Sequence, residues 1–474
     1  MVLFFRWTGA LGLMAALQAG PAWAQSVSND WPMYGYAPSH IASNLAEHTL
    51  NDTNAGKLRQ HWATSIDGGA ITGQAIVAGA IATAGGVKDL AIVGTETGRI
   101  AALDAATGTV VWSHDTGFTT PGCGDLPKGQ FGISATAIFV RSEGRVYAMG
   151  GDGKAYAYAV GTGAVVPGWP VTILPNAAHE HVYGGLNVDN GGLFITTASM
   201  CDQNTYHGRV LRVRTASPPA ITSVIYTDGT QTSGTTVTHY GSGGGGVWGP
   251  GGVAIDLTQS IHPLYIATGN LLHSAKESDF LGDHVAKLTQ DMTLLASDFP
   301  NVPSGDNDFG STPVLYQMLS TCPTSFAVIN KAGVVDIFSR NAIGSGPTQQ
   351  IPNHSFVGDV SYDQARRQLI ITDLDRIEAW RLATTGCQLV KAWSTPETSG
   401  PNGQLGQSIS PPSEANRMVY YGNGAGQTFM ALQASSGTTL FTATLGGSIY
   451  AAPTVTGGQV LVSSWDGKLY AFGL

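Results

Sequence analysis

Charge is scarce in this 474-residue chain: Asp, Glu, Lys and Arg make up 12% of it, and 23 basic residues face 32 acidic ones for a net charge of −9. That balance excludes a phosphate-backbone binder, which needs a basic face. Long apolar runs are also missing. Beyond the first two dozen residues no segment stays apolar for the roughly 18 residues of a spanning helix, so no membrane span is expected. Cysteine is limited to four residues and no C-x-x-C-H haem motif is present, so any electrons the protein removes must leave to a separate carrier. What the chain has in quantity is turn chemistry. Its 63 Gly and 23 Pro are spread throughout rather than massed in one linker, as in an all-β protein.

The first residues read as an export signal: a charged start at Arg6, an apolar core Trp7–Gln18 too short to span, and the small-residue pattern Ala22-Trp23-Ala24. Residues 1–24 are expected to be removed, with no lipobox cysteine at the junction. The product is then periplasmic or secreted. In that oxidising setting four cysteines point to two disulfides, for which three connectivities exist. Cys123 and Cys201 fall in early loops and Cys322 and Cys387 in later ones, which favours pairing within each set.

The stretch Leu90–Asp115 reads as a three-strand meander ending on Trp112. Its second strand recurs eight times, from Ile100–Leu103 to Lys468–Phe472. Most copies are preceded by a strand that starts small and polar, from Ile71–Val77 to Ser448–Val455, with Trp248–Ile255 and Gly310–Tyr316 among them. A four-strand unit repeating every 40–55 residues or so is a propeller blade, and one blade alone leaves an apolar face bare. The fold expected is therefore all-β, an eight-bladed propeller over residues 58–474 with an amino-terminal extension over 25–57. The last unit lacks its outer strand. Leu58–Thr64 can supply it beside Leu469–Phe472, with Trp62 standing where Trp112 stands, and Trp62, Trp112 and Trp169 are expected between blades as packing anchors.

Loops leading into the innermost strands ring one mouth of a propeller, and here they carry His179, Glu180, His181, Trp248, Asp306, Asn307, Asp308, His354, Asn402 and Gln404. Such residues commonly cap turns. His179 and His181, two apart on an extended segment, can face one metal together, although a loop role is the commoner use.

These blades resemble the repeats of the pyrroloquinoline quinone (PQQ) dehydrogenases and related eight-bladed propellers over nearly all of the chain beyond the signal. Gly243–Gly249 (GGGGVWG) is similar to the family segment whose Trp lies under the quinone, which implies Trp248 as platform. Tyr265–Asn270 (YIATGN) is similar to the family's G-T-G-N, implying Asn270 as a calcium ligand. Asp308-Phe309-Gly310 resembles the segment carrying the catalytic aspartate, with Asn307 in place of the family's Trp. Val328–Phe338 (VINKAGVVDIF) places Lys331 where the family has a Lys bonded to the quinone carbonyls. The adjacent cysteines of the family's alcohol dehydrogenases are absent; Cys123-Gly124-Asp125 stands there, and Lys128 is the substitute for their Arg. The calcium-binding Glu falls on Gln203, a poorer ligand for a hard cation, and Asp202 restores a carboxylate only if the register shifts. The resemblance implies PQQ and Ca²⁺ as cofactors and Asp308 as both base and metal neighbour. It further implies an alcohol or sugar hydroxyl as substrate and an acceptor such as a cytochrome c. The repeat also occurs in non-catalytic propellers, so the alternative implied is a binding or assembly scaffold of the cell envelope.

Overall fold

A strand that is apolar on both faces has to be covered on both, and alternate residues of each blade go to different neighbours. In the computed structural model Ile76, Leu90, Ile92, Ile100 and Trp112 pack against Phe139, Val146 and Tyr158 of the second blade. The intervening Val77, Ala91, Val93 and Leu103 pack the other way, against Val462, Leu469 and Ala471 of the last. The core is thus a ring of interfaces between blades rather than one central cluster. Residues 29–203, 205–233, 236–239, 243–272, 280–300, 307–353, 358–397 and 410–474 are described. The expected export signal lies outside them, as do Asp306, His354, Asn402 and Gln404.

Eight blade sheets follow in order, antiparallel except where Ser43–Asn44 adds a fifth, parallel strand to blade 7, and blade 1 is Ile76–Thr83, Gly86–Gly94, Arg99–Asp104 and Val110–Asp115. Blade 8 takes its outer strand from the other end of the chain: Arg59–Ser65 pairs antiparallel with Lys468–Gly473, which closes the ring. Helix is confined to short 3₁₀ turns among the described residues, and no helix there is long and apolar enough to cross a membrane. Both disulfides form within the expected sets, Cys123–Cys201 and Cys322–Cys387.

Two expectations need correction. The innermost strands begin later than the sequence implied, at Ile76 rather than Ile71, Ala254 rather than Trp248 and Val314 rather than Gly310. The residues before them run beside the axis, where in blades 1, 4 and 5 the backbone bonds the next blade's side chain instead of a ladder partner. Gln74 N donates to Thr136 Oγ1 (3.0 Å), Gly251 N to Thr312 Oγ1 (2.8 Å) and Thr312 N to Asp359 Oδ1 (2.8 Å).

The second correction concerns the amino-terminal extension, which is part of the ring. Trp31 exchanges two backbone bonds of 2.9 Å with Val77 of blade 1, and Pro32 O accepts from Phe139 N of blade 2. Pro38 O accepts from the Asn187 side chain of blade 3 and from Ile255 N of blade 4. Ser39, Ile41 and Ala42 carbonyls accept from Leu315, Tyr362 and Glu414 of blades 5, 6 and 7. Asn44 Nδ2 reaches Val455 O of blade 8 at 2.9 Å. One strap of fourteen residues, 31 to 44, therefore ties all eight blades in sequence order. The side chain of Tyr34 turns toward the axis and bonds Asp359 Oδ2 at 2.8 Å; burial first, and then Asp359, raise that phenol well above its ordinary pKa. The axial cavity left between Tyr34, Gln74, Tyr183 and Tyr450 is only about 10 Å³, room for a single water.

The strap gives a direct test. Asn44 is fully buried, and its amide also accepts from Ala46 N at 2.9 Å. Asn44→Ala leaves Val455 O and Ala46 N without those partners and should cost about 1–3 kcal/mol, read from the midpoint of urea unfolding. An unchanged midpoint would mean that the strap frays independently of the ring.

Candidate active site at the mouth between blades 4 and 5

Asp308 is fixed from three sides before its carboxylate does anything. The next residue, Phe309, is fully buried between blades 4 and 5, and its N–H bonds Thr268 O at 3.2 Å. The carbonyl of Asp308 accepts from Lys331 N at 2.9 Å. Its Oδ1 accepts from the backbone N–H of Asn270, and its Oδ2 pairs with Lys331 Nζ at 2.7 Å, both side chains being nearly buried. The same ammonium lies 5.0 Å from the centre of the Trp248 ring, in cation–π range.

Gly269 explains how these groups come so close. A Cβ there would sit 2.7 Å from Asp308 Oδ1 and 2.9 Å from Trp248 Nε1, so carboxylate and indole converge over a position that only glycine leaves open. The structure thus brings Trp248, Asn270, Asp308 and Lys331 into one cluster. Its detail differs from what the sequence implied in two respects. Lys331 is on the Asp308 carboxylate, where the resemblance implies a bond to the quinone carbonyls, and Asn270, implied as a calcium ligand, touches Asp308 through its backbone N–H while its side chain bonds Leu271 O at 3.4 Å.

The remaining predicted residues stand apart. Lys128 Nζ is 3.5 Å from Gly68 O, in the loop between the closing strand and blade 1. Gln203 donates its amide to Pro121 O at 3.0 Å. Asp202, next to the Cys123–Cys201 disulfide, accepts the Tyr206 hydroxyl at 2.9 Å. Tyr206 was not singled out from the sequence, yet it bonds Asp202 and stands near Asp308. Burial, then Asp202, and then the nearby Asp308 raise its phenol well above the ordinary value.

A calcium ion wants six to eight oxygens, with carboxylates prominent among them. Here both oxygens of Asp308 are engaged by N–H donors, Gln203 is turned to Pro121, and Asp202 is taken by Tyr206. The donor set does not fit calcium. What the cluster presents is the Trp248 ring with the Lys331 ammonium over its face.

His181 accepts Met200 N on Nδ1 at 3.0 Å and packs on Phe131. Burial first, and the neighbouring His179 second, hold its pKa down at about 4. Neither His179 nor His181 belongs to the side-chain groups that could hold a metal among the described residues.

Farther round the mouth, Glu397 ends the outer strand region of blade 6 and bonds the Asn423 side chain. Burial pushes its carboxyl from 4.5 up to about 7 despite that bond. A folded pKa above the unfolded one means that the native chain holds the extra proton, so stability falls as pH rises from about 4.5 to about 7 and is flat in this group's contribution outside that window. Glu397→Gln should remove that slope. Its thermal midpoint is expected to exceed that of the unsubstituted protein above pH 7 and to approach it below pH 4.5; parallel curves would refute the assignment.

The comparisons with known proteins agree on the architecture. A family model described as outer membrane protein assembly factor BamB matches residues 41–217 and 369–473. Among solved structures, the quinohemoprotein alcohol dehydrogenase ADHIIG from Pseudomonas putida HK5 is 14% identical, with a TM-score of 0.72 over 94% of this chain and 80% of its own. A europium-containing methanol dehydrogenase is 13% identical, with a TM-score of 0.68 over 94% and 98% of the two chains. BamB from Moraxella catarrhalis is 12% identical, with a TM-score of 0.55 over 88% and 100%. At such identities the likeness to these structures is one of fold. No curated protein sequence matches the chain.

Proposed function

This chain belongs to the PQQ-like propeller family of the outer membrane protein assembly factor BamB, and from that premise we propose that it is an extracytoplasmic oxidoreductase which binds a quinone of the PQQ type at its mouth. The reaction proposed is oxidation of an alcohol or sugar hydroxyl. The observation that carries this reading is the position of the Lys331 ammonium, 2.7 Å from Asp308 and over the face of Trp248. When bound, PQQ supplies an acceptor for two electrons.

The residues have separate tasks in this reading. Trp248 is the platform for the flat ligand, and Lys331 donates to its carbonyl or carboxylate oxygens. Asp308, oriented by Asn270 N–H, takes the proton of the substrate hydroxyl. Calcium has no part in it. Electrons pass to a separate carrier such as a cytochrome c, since the chain has no haem motif. Two disulfides and the expected export signal favour an oxidising compartment.

A second reading, a binding or assembly scaffold, is favoured by one specific observation. The family match omits residues 218–368, which hold Trp248, Asn270, Asp308 and Lys331, so membership itself says nothing of the cluster. Titration with PQQ, followed by its absorbance and by tryptophan fluorescence, separates the two. The oxidoreductase reading expects saturable binding of one equivalent that Trp248→Ala weakens strongly. Absence of saturable binding to the unsubstituted chain would leave the scaffold.

A further inference from the structure

Blade 3 is followed by a hairpin, Gly229–Ser233 and Thr236–His239, that forms a two-stranded sheet by itself. Two strands alone are marginal in water, so something else must hold them. At the hairpin's base Asp228 is fully buried, and both of its oxygens face imidazoles. His207 Nδ1 is 2.5 Å from Oδ2 and His239 Nδ1 is 3.3 Å from Oδ1. The two rings stack with centroids 3.8 Å apart, and Tyr226 sets its ring edge-on to both.

Gly243 and Gly229 pass close to the two rings: an ideal Cβ there would lie 3.3 Å from His207 Nδ1 and from His239 Nδ1, respectively. One donor atom from each of the three side chains lies within 4.8 Å of the others. The other such group among the described residues, Cys123, Asp125 and Cys201, has its sulfurs spent in the disulfide.

We propose that His207, Asp228 and His239 bind one divalent transition-metal ion of the zinc class, which staples the hairpin to the mouth. Two neutral imidazoles and a carboxylate are a common ligand set for such ions and leave a fourth position open. Metal–ligand bonds of about 2.0–2.2 Å arranged tetrahedrally put donors roughly 3.3–3.5 Å apart. The His239–Asp228 separation already matches, and His207 has to open by about 1 Å to reach it. The site is distinct from the Trp248 cluster but joined to it along the chain. His207 pairs with Gly244, four residues before Trp248.

The probe is Co²⁺ added to the metal-stripped full chain, because its visible bands report ligand number. One equivalent should bind with the intense bands of a four- or five-coordinate site and should raise the thermal midpoint. His239→Gln and Asp228→Asn should each weaken binding by at least roughly the 10–100-fold that loss of a metal's outer-shell partner costs. Because Asp228 is buried, its variant is checked for native circular dichroism, and His239→Gln, at a half-buried residue, carries the test should the former misfold. Quinone titration of His239→Gln should be unaffected in amplitude, which separates failure here from failure of the quinone reading. Only weak six-coordinate bands, or binding to the unsubstituted chain no tighter than to His239→Gln, would overturn the proposal and leave a hydrogen-bonded triad.

Discussion

Trp112→Ala is expected to lower the unfolding free energy by about 3–5 kcal/mol, the range for truncating a buried aromatic. The indole is 7% exposed and lies in the interface between blades 1 and 2, against Tyr158. Two polar contacts add to its packing. Trp112 Nε1 donates to Val160 O at 2.8 Å, and His114, two residues on, bonds Gly163 O at 2.7 Å. The same two-point dock recurs at other interfaces. Trp62 and Thr64 bond the Ala105 and Gly108 carbonyls, and Trp393 and Thr395 bond those of Ala434 and Gly437. In each case the indole lies on the glycine, so tightly at Gly163 that a Cβ would meet the Trp112 ring at 2.8 Å. Trp112→Phe keeps a ring but loses the N–H, leaving Val160 O unpaired. It should therefore fall between the two, and Trp62→Ala should cost less than Trp112→Ala because Trp62 is only half-buried. The check is urea unfolding of all three; a Trp112→Ala midpoint equal to that of the unsubstituted protein would mean the interface does not hold the blades together.

This dock is why the architecture is legible in the sequence. The third strand of each blade is buried on both faces and bounded by Asx and Gly turns, so Ile100–Leu103 and Lys468–Phe472 are visible as apolar runs and widen by only a residue or so in the structure. The closing strand is visible through Trp62 for the same reason. The strap is not. Six of its eight ties are backbone bonds, and such bonds leave no side-chain period to read; only Asn187 and Asn44 contribute side chains. In the mouth, short motifs locate Trp248, Asn270, Asp308 and Lys331, but a motif does not say where an ammonium points. Packing decides that Lys331 pairs with Asp308 and that Gln203 turns to Pro121. His207, Asp228 and His239 lie 21 and 11 residues apart with no motif joining them, and only the hairpin's fold makes them neighbours.

The largest functional effect is expected at Asp308. On the proposed reading, Asp308→Asn should leave quinone binding nearly intact and lower kcat for primary or secondary alcohols by roughly 10²–10⁴-fold, the usual cost of losing a general base. The substitution preserves shape. The amide oxygen can still accept from Asn270 N–H, so the loop ending at Phe309 keeps its anchor. What changes is the other oxygen, which becomes an NH₂ facing the Lys331 ammonium, so that neither a proton acceptor nor an ion pair remains there. A purely structural role for the ion pair would give a different pattern. Lys331→Gln removes the cation but not the carboxylate, so it should weaken quinone binding and raise KM more than it lowers kcat, whereas Asp308→Asn should do the reverse. If both variants lose quinone affinity together and turnover falls only in proportion, Asp308 serves to hold Lys331 over Trp248 and is a positioning residue. If the Asn variant turns over alcohols as fast as the unsubstituted chain, the proton leaves by another route and the base assignment is wrong.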